Sequence, residues 1–272
     1  MNCVRHLMAA VVASFAGATA ALAEPLALDW QDEDQWRYSL TLSAFLPART
    51  TGTSTVAGTS VDLDLSFGDA INLLDFALAG RGEMWHRDFG VILDLNYVNL
   101  GLNNTLTLPV PPAPAANVNV DVKQSWAGLL LAKRVVNSTY GADNLRYSLD
   151  LQAGARLNRI KQQITLTTPG PAPVLGGTET WLEPVIGGRG IWELSDKWSG
   201  VLSADFGGFG AGGNDLQFGL NASVTRKIGK NKSLRLGYRY YSIDYSTTRS
   251  DGLFAYDVVQ HGPILAFTWY FQ

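Results

Sequence analysis

The sequence predicts an all-β chain: a transmembrane antiparallel up-and-down β-barrel of about ten strands, in a range of about 8 to 12. Three observations carry this. Long runs alternate apolar with polar residues. Short and long connections take turns along the chain. Tryptophan and tyrosine gather near the ends of the runs.

The clearest run is RYSLDLQAGARLN, residues 146–158. Tyr147, Leu149, Leu151, Ala153, Ala155 and Leu157 fall on one face of a strand, and Arg146, Asp150, Gln152, Arg156 and Asn158 on the other. A soluble sheet gives the same alternation with its apolar face inward. This run of thirteen is long for a soluble strand, where about 5–6 residues is usual. Similar runs are placed at 36–46, 76–86, 89–100, 122–136, 145–160, 178–192, 197–209, 215–228, 233–245 and 255–271.

The connections supply direction. His86–Asp88, Ser195–Lys197 and Gly229–Lys232 are tight, and Asn137–Asn144 is the longest of that set. Pro47–Asp75, Gly101–Asp121, Lys161–Gly177 and Ser246–Phe254 are long, with the short Gly210–Asn214 among them. Tight turns belong to the periplasmic end of a bacterial outer-membrane barrel and long loops to the outside. Pro109, Pro111, Pro112, Pro114, Pro169, Pro171 and Pro173 fall in two of the long loops, where a missing N–H costs no ladder bond. The strand prolines Pro184 and Pro263 are placed near the outer rim for the same reason. SVDLDLSF (60–67) also alternates; it is read as a hairpin within the first outer loop, because an eleventh spanning strand would put long loops and tight turns on the wrong sides. GDAINLLD (68–75) is the one short helix candidate.

Trp36, Tyr38, Trp192, Trp198, Trp269, Tyr270 and Phe271 sit at strand ends on the short-turn side. Tyr97, Phe209 and Tyr245 sit toward the long-loop side. Tryptophan and tyrosine suit both borders of a bilayer, since the ring lies in the apolar layer while its polar atom reaches water.

The ends and the composition narrow the class. Residues 1–23 read as a secretory signal peptide, with Arg5, an apolar stretch Leu7–Ala20 and the cleavage site Ala21-Leu22-Ala23. Residues 24–35 are read as an N-terminal periplasmic segment and 36–272 as the barrel. Cys3 lies within the signal, so a processed chain has neither thiol nor disulfide. Loss of Arg5 leaves 20 Lys+Arg against 24 Asp+Glu, a net charge of −4, with no basic stripe for nucleic acid. Beyond the signal, AGLLLA (127–132) is the longest clear apolar run, far short of the ~20 residues of a membrane helix.

With LGYRYYSIDY (236–245), the closing strand GPILAFTWYF (262–271) and the Ala21-Leu22-Ala23 signal, the chain resembles the small outer-membrane β-barrel proteins of Gram-negative bacteria, the OmpA-like or porin-like group. The resemblance spans residues 24–272 and is architectural. It implies Sec-dependent export, the outer membrane as location, contact with its lipid and lipopolysaccharide, and folding by the barrel-assembly machinery. Such barrels often end on an aromatic residue; here Phe271 is penultimate and Gln272 follows.

The inward set is read as Arg37, Arg81, Glu83, Asp94, Lys123, Arg146, Asp150, Arg156, Glu183, Arg189, Asp205, Lys227, Arg235 and Arg239, nine basic and five acidic. Charges away from bulk water are paired or hydrated, and barrels near eight strands have interiors that side chains fill. The leading expectation is a structural or surface-interaction barrel with a filled lumen. The basic excess offers a second, a small diffusion channel with mild anion preference. A lipid-modifying hydrolase using outward-facing His261 is the third; no serine partner stands out for it. GGFGAGG (207–213) lacks the Lys-Ser/Thr of a phosphate loop, and no zinc-ligand spacing occurs, so neither a cofactor nor a metal is expected. The sequence names no extracellular ligand.

Overall fold

The computed structural model describes residues 35–106, 116–167 and 174–271. The strands are β1 (Arg37–Phe45), β2 (Arg49–Val56), β3 (Thr59–Ser66), β4 (Leu74–His86), β5 (Phe89–Leu106), β6 (Ala116–Tyr140), β7 (Leu145–Thr167), β8 (Val174–Ser195), β9 (Trp198–Ala211), β10 (Asn214–Lys227), β11 (Lys232–Arg249) and β12 (Gly252–Phe271); one helix, α1 (Phe67–Leu73), joins β3 to β4. The signal peptide, the N-terminal segment up to residue 34 and the seven loop prolines lie outside the described residues.

Ten strands close the barrel. They run β1, β4 and then β5 to β12 in order, and β12 returns to pair with β1. β12 is long enough for two neighbours on one edge. Its Ile264–Phe271 half pairs with β1, and its Ala255–His261 half pairs with β2. β2 then pairs with β3, so the SVDLDLSF run is the outer arm of a hairpin that extends the wall and is not a spanning strand. Pro263 sits at the change of neighbour, where its carbonyl accepts from Leu46 N (3.0 Å) and that of His261 accepts from Ala48 N (2.8 Å). Pro184, opposite Ala155, lies one outward step below Leu182, inside the upper part of the apolar belt.

The tight turns stand where the sequence places them, at residues 87–88, 141–144, 196–197 and 228–231. The long connections differ from the expectation. β11 runs to Arg249 and β12 starts at Gly252, so the segment 246–254 is mostly strand with a two-residue turn. β5 with β6, and β7 with β8, likewise prolong their ladders past the runs that alternate. Alternation marks only the stretch that has an apolar face to bury. The backbone ladder continues beyond it because N–H and C=O groups need partners wherever the strand runs. α1 confirms the helix candidate. Ser66 and Asp69 form its capping box, and the hydrogen bonds from Ser66 hold the Asp69 carboxylate below its ordinary range.

The outer face is apolar. Leu93, Leu95, Leu129, Leu131, Leu151, Leu157, Leu182, Ile186 and Leu202 are all exposed on it. Trp36, Tyr38, Trp198 and Phe271 at one border and Tyr97 and Phe209 at the other are exposed as a girdle requires. Two aromatics depart. Tyr270 turns inward, with its hydroxyl 3.1 Å from that of Ser233. Tyr245 is buried and stacks on Trp181 at 3.9 Å. Both lie on the inward phase of their strands, and a strand-end position by itself does not tell a lipid-facing ring from a lumen-facing one.

Candidate functional site

Toward the short-turn end, five strands aim charge at one another. β8 supplies Arg189, whose guanidinium forks onto Glu83 of β4 at 2.6 and 2.9 Å. The same group donates to Asp150 of β7 at 3.0 Å. Arg134 of β6 reaches Asp150 from the other side at 2.8 Å. Arg81 of β4 donates to Glu83 at 2.8 Å, to Asp94 of β5 at 3.1 Å and to Gln152 of β7 at 3.2 Å. Trp85 seals the group. Its Nε1 donates to Glu83 at 2.9 Å, and the carbons of Arg134 and Arg189 lie 5.1 and 5.8 Å from its ring centre. Gly90 opposite Trp85 makes this possible, because a Cβ there would meet the ring at 2.6 Å. Asp150 is fully buried (0 % exposed). Ions so placed persist only where each remaining donor and acceptor is met, and bidentate charge-assisted bonds meet them best.

Above this layer stands a second carboxylate, Glu183 of β8. It accepts from Trp181 Nε1 at 3.0 Å, as Glu83 does from Trp85 two residues away. Asn214 also donates to it. Gln217, with its amide oriented to suit its neighbours, donates to Glu183 at 2.9 Å and accepts from the Tyr241 hydroxyl at 3.1 Å. Arg156 of β7 bonds Asp205 of β9 at 2.7 Å and lies 3.8 Å from Glu183.

Toward the long-loop end the filling changes to rings and branched chains. Ile160, Trp181, Tyr241, Ile243, Tyr245, Phe254, Tyr256 and Val258 form one buried cluster, with Leu63 of β3 and Trp126 of β6 packed against it. Trp126 stacks on Tyr241 at 5.5 Å, and Phe254 meets Tyr245 edge-on at 6.3 Å. Beside the cluster, Arg239 is surrounded by Phe45, Trp126 and Tyr241 at 5.1–5.5 Å from the ring centres. It borders a cavity of about 30 Å³, room for one water, with Asn96, Gln124 and Gln260 in its wall.

The inward charges named from sequence sort as follows. Arg81, Glu83, Asp94, Asp150 and Arg189 meet in the lower network, and Arg156, Glu183 and Asp205 in the middle one. Arg37 is buried opposite Trp85. The Arg146 backbone N–H donates to Glu193 at 3.1 Å. Lys227 is half-buried on the inward phase of β10. Arg235 donates to Thr225 at 3.2 Å. Among the described residues neither Arg235 nor Arg239 has a carboxylate within ion-pair distance. Lys123 is a correction. It lies on the outer face, in phase with Leu129 and Leu131, and pairs with outward Asp121 at 3.4 Å. Arg134 is the inward cation of that strand, and sequence reasoning missed it. In AGLLLAKRVV both faces are apolar and Lys133 and Arg134 are adjacent, so alternation fixes no phase. The inward rings were missed too, although EMW (83–85) and WLE (181–183) set a tryptophan and a glutamate on one face at each depth.

His261 points outward. Its Nδ1 is 2.6 Å from the Tyr238 hydroxyl, and among the described residues neither a serine nor a carboxylate bonds to it.

No family model and no curated protein matches the chain. Solved structures similar to it include the outer-membrane protease OmpT from Escherichia coli (10% identity, 93% of this chain and 100% of that one, TM-score 0.43). Another is the translocator domain of the autotransporter NalP from Neisseria meningitidis (12%, 98% and 95%, 0.42). A third is Ail of Yersinia pestis, solved in complex with the heparin analogue sucrose octasulfate (10%, 87% and 99%, 0.36). The likeness is one of barrel architecture alone.

Proposed function

We propose that this chain is an integral outer-membrane barrel with a structural or surface-interaction role and a lumen closed by its own side chains. The observation behind this reading is the lower network, in which Arg134, Asp150, Arg189, Glu83, Arg81 and Asp94 link five strands across the interior. Its tight turns then lie in the periplasm, and the prolonged hairpins with β2–β3 lie outside. Residues 1–23 serve Sec export, and barrel-assembly machinery inserts the chain. The test is conductance in planar bilayers. Wild type gives no steady current. A Glu83→Ala/Arg189→Ala variant, which deletes the centre of the network, gives step currents. Wild-type steps of porin size sink the reading.

One observation favours a second reading, a narrow anion route. Arg235 and Arg239 project from one face of β11 with Gly237 between them and no carboxylate in ion-pair contact among the described residues. Thr225 of β10 and Ala266 of β12 stand opposite Arg235, and Gly262 of β12 stands opposite Arg239. If this route conducts, wild type shows a small anion-selective current that Arg235→Gln/Arg239→Gln abolishes.

A further inference from the structure

The outer face carries charge of opposite sign on opposite sectors just beyond its apolar belt. On β6 and β7, Lys123 and Lys161 stand directly opposite each other, and Arg159 stands opposite Ser125 one outward step lower. One carboxylate serves both lysines: Asp121, 2.6 Å from Lys161 and 3.4 Å from Lys123. Arg159 is exposed and has no carboxylate within ion-pair distance among the described residues. Immediately below lie Leu157 and Leu182, and Tyr97 stands level with Arg159 across Ser125, all exposed. Across the barrel the corresponding rim is acidic. Asp244 and Asp257 face each other on β11 and β12, and Thr53 of β2 leads on from Asp257 to Asp62 of β3.

Like charges directly opposite on a sheet face repel, and one carboxylate leaves the basic sector with net charge +2. A partner that relieves this must bring negative charge to the top of the apolar belt and an oily body to the leucines below. We propose that Lys123, Arg159 and Lys161 seat the phosphates of a phosphorylated glycolipid of the outer leaflet, its acyl chains lying over Leu157, Ala127 and Leu129. The acidic sector repels the same headgroup, so the lipid takes one side of the barrel. The site goes beyond the closed-lumen reading and rests only on its membrane placement. A chain that conducts yet keeps this lipid overturns that reading and leaves this one standing.

The test uses the full folded protein in a non-ionic detergent, with bound lipid counted by mass spectrometry of the intact complex. The probes are diphosphoryl lipid A, its dephosphorylated form and phosphatidylglycerol. Wild type retains diphosphoryl lipid A over both others. Each cation removed weakens retention about fivefold. Lys123→Gln/Arg159→Gln/Lys161→Gln then loses roughly a hundredfold, and Asp244→Asn/Asp257→Asn loses nothing. Heat-modifiable gel mobility reports that each variant is folded. Arg159→Gln removes no ion pair of the described fold, so its fivefold loss stands as the measure if the triple variant misfolds. Equal retention by Arg159→Gln and wild type, or phosphatidylglycerol held as well as diphosphoryl lipid A, overturns the proposal.

Discussion

Around Asp150 the barrel interior is filled with charge; around Tyr245 it is filled with rings. The lower layer sits within the lipid belt, where the outer face must be apolar and the inner face takes every polar residue of the alternating run. Five strands supply ions there, and the bidentate Arg189–Glu83 pair locks them together. The upper layer belongs to the prolonged strands. Their inner face packs like a soluble core, with Ile160, Ile243, Phe254 and Val258 at 2 % exposure or less. The same barrel is inverted below and conventional above. The lower layer is specified by pairing, in which one missing partner strands the others. The upper one is specified by packing, which degrades by degrees.

The largest test of that contrast is Asp150→Ala. It leaves Arg134 and Arg189 short of a buried partner and costs about 3–5 kcal/mol, read from urea unfolding by tryptophan fluorescence. A cost below that of the ring substitution described next means that lumen water stands in for the carboxylate. The ring substitution is Tyr245→Leu, which keeps an apolar volume and loses the stack on Trp181, about 1 kcal/mol. Between the two falls Leu151→Arg, at about 2–4 kcal/mol, because it sets a cation on the lipid face. Gln152→Arg, one residue on, faces the lumen beside Arg81 and changes pairing there while the barrel still shows heat-modifiable mobility. If Leu151→Arg folds like wild type and Gln152→Arg does not, the two faces are exchanged. The smallest effect is Arg49→Gln. It breaks the exposed Arg49–Asp64 pair of the β2–β3 hairpin (3.0 Å) and barely moves the urea midpoint, a shift that vanishes at high salt.

Much of the barrel was legible because lipid forces a two-residue period onto each spanning strand. RYSLDLQAGARLN told which of its side chains face in, and HRD or SDK told where the chain turns. Legibility failed where the period carried no contrast. Lys123 and Arg134 exchanged faces because AGLLLA is apolar on both sides. The upper hairpins were taken for loops because their strands no longer border lipid.

By itself the sequence determined the antiparallel barrel, about ten spanning strands, the positions of the tight turns and the helix before β4, since each follows from local periodicity, turn residues or capping. Only the tertiary structure decided the partners. That Arg189 meets Glu83 from 106 positions away depends on how the ladders stagger around the wall. So does the stacking of Trp181 on Tyr245. Strand register is a property of the closed sheet, and no single run of residues encodes it.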